Sequence, residues 1–583
     1  MSFEVCSRVI CGWILVWSLA ASPLAAAEPQ WIWSPEQEPL TKPAQTVYFR
    51  TTFEVADPQS GQIEVTADDK YTISINGERI GAGNSWQEVD RFDIKSKLVK
   101  GKNVIGVMAD NGGGPAGLVA RVTVVDKGDK TILASTDGKW ITSTKYQAGW
   151  AALDANDKEW KPAYMIGEFG KTAPWGSTPK VKAAPAAIVF EHKERPAGPF
   201  QLLDGDRVVF LGDTLIERAQ ADDYLETRLT SRYPDRQIKF RNLGWSADTV
   251  FGESRAGFGS VADGYLQLKQ RVFEAQPTVV IVGYGGAASA AGEAGLPAFS
   301  AGLETLLNLL EETRATIVIL SPLRQEDLGK PLPSPERFNH DRQLYAQVLQ
   351  HAAQSRSYPF VNLYTLLGDG KQSPAKKSYT DNAVHLTPYG YWQAAAAIEE
   401  GLGWKTPSWN VEIDVADQGL AASGTKLDQA VLNKTKLSFQ ALDQVLPPAP
   451  APQRSPATAT VPGSQRSLKI TGLTPGTYTL KIDGEPVLKA TATEWGQGRI
   501  IPSATTPEFA QAEKLRLAIV AKNQLFFHRW RPQNETYLFG FRKHEQGNNA
   551  KEIPMFDPLI EKEEAEIAKL RVPVVHQYEI VAE

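Results

Sequence analysis

Four short stretches of this 583-residue chain gather side chains that could do chemistry. Gly212-Asp213-Thr214-Leu215 sets a carboxylate beside a hydroxyl. Asn242-Leu243-Gly244-Trp245-Ser246-Ala247-Asp248-Thr249 adds a second carboxylate, and Gly283-Tyr284-Gly285-Gly286-Ala287-Ala288 adds a phenol in a glycine-rich run. Asp381-Asn382-Ala383-Val384-His385-Leu386-Thr387 supplies an imidazole preceded by a carboxylate and an amide. A hydroxyl activated by an imidazole is the arrangement of nucleophilic catalysis, and a nearby carboxylate or phenol can hold or move a proton. The same acids also fit a plainer role, because acidic residues at strand ends cap helices and form turns. Asp213, placed before a helix start, suits that role. Metal chemistry has no such cluster: the seven His are scattered, and no Cys-x-x-Cys or His-Glu-x-x-His spacing occurs. No metal and no cofactor is expected.

These stretches must be positioned by the elements around them. Apolar runs at Arg207–Leu211, Ile238–Leu243, Thr278–Tyr284, Thr316–Leu320 and Phe360–Tyr364 alternate with amphipathic stretches at Asp223–Tyr233, Pro297–Thr313 and Asn339–Ser355. Continuous apolar runs read as strands buried on both faces, and intervening helices imply parallel pairing. The pattern predicts a doubly wound, three-layer α/β domain over 205–406 with five strands. In such sheets the site lies at the carboxyl ends of the strands, where the first three of the four stretches fall.

The flanks read differently. Short strands at Thr46–Val55, Gln62–Ala67, Tyr71–Ile75, Lys102–Met108 and Leu118–Val125, with a hairpin turn at Asn76-Gly77, predict an N-terminal β-sandwich over 28–175. A Pro-, Ala- and Lys-rich linker is expected over 176–204. After Trp409, strands at Val411–Val415, Lys436–Gln440, Ser467–Ile470 and Thr477–Ile482 predict a small β domain over 407–505, carrying a Pro-rich loop at 446–466. A helical and extended C-terminal tail is expected over 506–583, with helices at Pro507–Lys522 and Leu559–Leu570. Between them, Phe526-Phe527-His528-Arg529-Trp530-Arg531 is either a recognition surface or a tail packing its aromatics back on the α/β domain.

The four stretches, in their order, resemble the sequence blocks of the SGNH (GDSL-type) hydrolase superfamily. The resemblance implies a flavodoxin-like fold and ester hydrolysis. By it Thr214 stands at the nucleophile position, where the family has serine, and His385 is the general base. Asn382 takes the triad acid position, with Asp381 beside it as a possible substitute acid. Ala247 and Ala287 take the oxyanion-hole positions, where the family has glycine and asparagine. Asp213, Tyr284, Gly285 and Asp248 are expected around the cleft. An alanine at 247 can still donate its amide, provided the backbone there does not require positive φ. Losing an oxyanion donor costs roughly 10²–10³ in turnover, and an amide in place of the triad acid costs about 10⁴ in the serine-protease template. The segments Asp68–Gly77, Gly101-Lys102-Asn103-Val104 and Asp110–Gly117 resemble galactose-binding-like jelly rolls. Trp33, Trp86, Trp140, Trp150 and Trp160 could stack on sugars there or fill the sandwich.

The N-terminus carries Arg8, an apolar run from Val9 to Ala21 and Ala25-Ala26-Ala27, the pattern of a signal peptide over 1–27 cleaved after Ala27. That predicts a secreted or periplasmic protein with no membrane span in the mature chain. Both cysteines, Cys6 and Cys11, lie in that segment. A net charge of −5 with 22% charged residues lacks the basic surface that nucleic acid requires. Three functions remain open. The first is an exported esterase acting on carbohydrate esters, for example by deacetylation. The second is an inactive pseudoenzyme binding glycan or protein in the cell envelope, and the third is a structural envelope module. Oligomeric state leaves no mark in the sequence.

Overall fold

The structure, a computed structural model, describes residues 28–35, 43–128, 130–176, 180–181, 189–257, 259–368, 377–405, 408–452, 465–502, 505–539, 542, 545 and 549–583. The expected signal peptide lies outside the described residues, as do 177–179 and 182–188 of the expected linker and 453–464 of the Pro-rich loop. The chain folds into two compact units, Met1–Ala187 and Ile188–Glu583.

The first unit is a sandwich. One sheet is built around Gly117–Asp126 paired with Ser60–Asp68, and the other around Gly101–Asn111 paired with Gln45–Val55. The inward positions alternate along each strand, so Ile63, Val65 and Ala67 of one sheet share a core with Val47, Phe49, Ile105 and Val107 of the other. Asn76 and Gly77 both have positive φ, 52° and 86°, the backbone of a two-residue turn whose twist matches the hairpin it closes. Trp33 and Trp140 are buried in this core, while Trp86, Trp150 and Trp160 are partly exposed.

The second unit opens with a five-stranded parallel sheet. Its strands are β1 (Arg207–Gly212), β2 (Lys239–Asn242), β3 (Val279–Gly283), β4 (Thr316–Leu320) and β5 (Phe360–Val361), in the order β2-β1-β3-β4-β5. The order reverses between β1 and β3, and this switch point is where a doubly wound sheet leaves a crevice. Helices α1 (Thr214–Ala219), α2 (Tyr224–Arg232), α3 (Val261–Glu274), α4 (Leu296–Glu311), α5 (Glu336–Ser355) and α6 (Pro388–Gly401) accompany the strands. Val208 and Phe210 face one apolar layer and Val209 and Leu211 the other, which accounts for the unbroken apolar runs of these strands. The last strand is shorter than the run Phe360–Tyr364 suggests. Asn362 caps the short helix Leu363–Leu366, its Oδ1 accepting from Thr365 N–H at 3.1 Å, and this ends the strand at Val361.

Beyond the α/β domain, Trp409–Asp414 and Arg466–Thr471 pair in one sheet. Lys436–Asp443 and Thr477–Ile482 belong to a second, in which the strand Val575–Ala582 lies between them. The two sheets share one core, including Val411, Ile470, Phe439, Leu480 and Ile580. Helices α7 (Pro507–Trp530) and α8 (Phe556–Leu570) are thus carried between strands of this sandwich rather than on a free tail. The aromatic-basic string forms the last turns of α7 and packs on the α/β layer: Trp530 is buried in the same cluster as Leu243 and Val280. A buried ion pair, Lys522 Nζ to Glu226 Oε1 at 2.6 Å, fixes α7 against α2. Among the described residues no helix is long and apolar enough to cross a membrane.

Candidate active site

Thr214 is the first residue of α1, directly after β1. Asp213 caps that helix: its Oδ1 accepts from Leu215 N–H at 3.2 Å, and its Oδ2 accepts from Ala287 N–H at 3.1 Å across the switch point. The acid expected at the cleft is therefore a buried cap that ties β1 to the loop after β3. Burial pushes its carboxyl above the usual range, against the pull of those amides and of Arg342.

The loop after β2 lies hard against α1. A Cβ on Gly244 would stand 2.3 Å from the Glu217 nitrogen, so only glycine permits the approach. Asn242 holds the same junction, donating to Ile216 O at 2.7 Å and accepting from Gly244 N–H at 2.9 Å. This presents Ala247, whose N–H donates to Thr214 Oγ1 at 3.1 Å. Ala247 does so with φ at 60°, a left-handed conformation that costs a non-glycine residue roughly 1–2 kcal/mol. The backbone thus requires the positive φ that a glycine at this position would adopt freely.

Tyr284 lines the cleft as expected, whereas Asp248 lies behind it and not on its wall. Asp248 is fully buried, and its Oδ2 accepts from Arg255 Nε at 2.6 Å and from the Tyr284 hydroxyl at 3.0 Å. Their polar atoms serve each other, bracing the loop that carries Ala247. Gly285, at φ 107°, turns the chain after β3. Ala287 brings only a methyl group to the cavity wall, and its N–H is committed to Asp213.

His385 and Asn382 sit on the loop before α6. Buried Glu326 pins that loop, accepting from Tyr379 N–H at 2.9 Å and Thr380 N–H at 2.6 Å. Asn382 Oδ1 accepts from Val384 N–H at 3.2 Å and from His385 N–H at 2.8 Å, which fixes the amide orientation and turns Nδ2 toward His385 Nδ1 at 3.1 Å. An amide NH₂ can only donate, so Nδ1 accepts and the neutral imidazole carries its proton on Nε2. That is the tautomer unable to take a proton through Nε2. Asp381 does not replace the missing acid: its side chain is exposed, and the partner at Nδ1 is Asn382.

Thr214, Ala247, Ala287 and His385 line one cavity of about 160 Å³. Arg218, Arg342 and Tyr391 line it as well, and motif reading missed all three. Arg218 could have been found from its i,i+4 spacing to Thr214 on one helix face. Arg342 lies within α5, away from any strand end, and Tyr391 is spent donating to Leu215 O at 3.0 Å. Among the described residues no group of His, Cys, Asp and Glu could hold a metal.

The family model of GDSL-like lipases and acylhydrolases matches residues 210–393. A gut microbial diltiazem-metabolizing enzyme of known structure is similar in fold, with a TM-score of 0.53 at 15% identity over 67% of this chain and all (100%) of that one. A catalytic mutant of an acetylxylan esterase from Geobacillus stearothermophilus aligns at 18% identity over 35% of this chain and 98% of its own, with a TM-score of 0.27. A lectin from Pleurotus ostreatus aligns at 28% identity over 27% of this chain and 46% of its own, with a TM-score of 0.26. No curated protein sequence matches the chain. The 2-1-3-4-5 strand order and the blocks at the strand ends lie within residues 210–393, the stretch that matches the model of the GDSL-like lipase/acylhydrolase family.

Proposed function

We propose that this is an exported member of the family whose central cavity binds a carbohydrate ester or related glycan and hydrolyses it slowly or not at all. The observation that carries this reading is the Asn382 Nδ2 to His385 Nδ1 hydrogen bond, which selects the wrong tautomer for a base. Two further features support it: the alanine at 287 provides no side-chain oxyanion donor, and the Thr214 hydroxyl carries a methyl that restricts its approach. The partly exposed Trp150 and Trp160, stacked at 6.2 Å between centroids, suit a glycan partner for the first unit. A second reading, residual esterase activity, is favoured by the Thr214 hydroxyl, the Ala247 amide and His385 sharing one cavity.

The test is hydrolysis of p-nitrophenyl acetate and of acetylated oligosaccharides by the purified protein and by the Thr214→Ser, Ala287→Asn, Asn382→Asp triple variant. Turnover near background in the native protein, rising by several orders of magnitude in the triple variant, is expected. Efficient native turnover that disappears in His385→Ala would establish the second reading instead.

A further inference from the structure

We propose that the cavity beside Thr214 is an anion subsite, in which Arg342 and Arg218 hold the carboxylate or sulfate of an acidic sugar. The inference rests on the reading that the cavity receives a carbohydrate, but not on whether that carbohydrate is turned over.

The buried cations of this chain follow a rule that Arg342 breaks. Arg50 pairs with Asp157 at 2.9 Å, Arg255 with Asp248 at 2.6 Å, Arg466 with Glu508 at 2.8 Å and Lys522 with Glu226 at 2.6 Å, while Arg228 is held by Glu399. Arg342 is only 8% exposed, yet among the described residues its side chain has a backbone carbonyl, and no carboxylate, as its hydrogen-bonding partner. Its one hydrogen bond there runs from Nη1 to Leu323 O at 3.0 Å, leaving most of the five N–H donors of a guanidinium for the cavity it lines. Asp213 acts on Arg342 only through space, beyond ion-pair distance, and a buried charge without a contacting counter-charge is costly. An anionic ligand supplies the missing partner, and the planar fork of a guanidinium matches a carboxylate or sulfate with two parallel bonds.

The rest of the wall agrees. Asp213 is the sole carboxylate among the lining residues, and its oxygens are occupied by the Leu215 and Ala287 amides. Arg218 adds a second guanidinium four residues after Thr214, again with no ion pair among the described residues. Two arginines against one engaged acid leave the wall net positive. A volume of about 160 Å³ admits one six-membered ring, since a cavity of roughly 150 Å³ accepts benzene.

Isothermal titration of the mature protein at low salt, with D-glucuronate, inorganic sulfate and D-glucose as probes, tests the proposal. Saturable binding of glucuronate, weakened by added salt, with glucose at least roughly 10-fold weaker, is expected. Arg218→Gln and Arg342→Lys should each weaken glucuronate by roughly 10- to 100-fold. Arg218 is exposed, so its variant keeps the test decisive if substitution of Arg342 impairs folding. Sulfate binding as tightly as glucuronate would assign the subsite to a free oxyanion, and preference for glucuronate to an acidic sugar; both support an anion subsite. Equal affinity for glucose and glucuronate, no saturable binding of either anion, or full affinity in both variants would overturn it. Hydrolysis of a neutral acetylated sugar by the triple variant without anion binding would sink this inference alone. Anion binding with an inert triple variant would instead count against the account of the missing catalytic residues.

Discussion

Replacing Asn382 by Asp in a Thr214→Ser, Ala287→Asn background should raise ester hydrolysis by several orders of magnitude. The substituted carboxylate keeps the acceptor role of Oδ1 toward the Val384 and His385 amides, so the loop has no reason to move. At the other atom, a donor facing His385 Nδ1 at 3.1 Å becomes an acceptor. The hydrogen bond now favouring the Nε2–H tautomer is worth about 1 kcal/mol net, and a donor facing a donor costs roughly 1–3 kcal/mol more. The competent tautomer is therefore held to a few per cent or less. Restoring it gives about 30- to 1000-fold, and a carboxylate stabilising the imidazolium by roughly 1.5–3 kcal/mol gives about 10- to 150-fold more. Together these reach about 10²–10⁵, a range that includes the loss of about 10⁴ seen when a triad acid becomes an amide. The assay is kcat/KM for p-nitrophenyl acetate in the double and triple variants across pH 5–9. A gain below about 3-fold, with both proteins folded, would refute the assignment of Asn382 as the limiting residue.

Ala247→Gly should raise stability by about 1 kcal/mol, read as an increase in Tm, because glycine adopts the φ of 60° without strain. An unchanged or lower Tm would mean that this loop is not strained. Glu326→Ala should cost about 2–4 kcal/mol, since it strands the buried Tyr379 and Thr380 amides, and hydrogen exchange should rise first over 379–385; uniform exchange would contradict the pinning role. Burial lifts the Asp68 carboxyl in the sandwich to about 6, with Asp69 adding to the rise and the hydrogen bond from Trp175 Nε1 opposing it, so the folded unit holds this proton more tightly than the unfolded chain does. Stability from this group is then fully present below pH ~4 and is lost as pH rises through about 6, by on the order of 1–2 kcal/mol after solvent screening. Asp68→Asn should flatten the urea midpoint between those values, and an unchanged slope would contradict the shift.

The layers of the molecule were legible where burial acts on both faces of a strand. Val279–Gly283 is buried throughout and reads as an unbroken apolar run, and Thr316–Leu320 was legible to the residue. Pairings distant in sequence left no local signal: nothing in Val575–Ala582 announces that it lies between Lys436–Asp443 and Thr477–Ile482. Motif spacing picked out Thr214, Ala247, Ala287 and His385, which share one cavity, and Asn382, which hydrogen-bonds His385, because each follows a strand or precedes a helix that the sequence marks. Roles that depend on a side chain's direction were hidden. Asp248 and Tyr284 turn inward to Arg255, Asp381 turns outward, and Arg342 reaches the cavity from mid-helix.

The ¹⁵N chemical shifts of the His385 ring in the native protein near pH 8 report directly which tautomer the Asn382 amide selects. A protonated Nε2 and a bare, hydrogen-bonded Nδ1 are expected. A ring protonated at Nδ1, with Nε2 free to accept from Thr214, would contradict that selection.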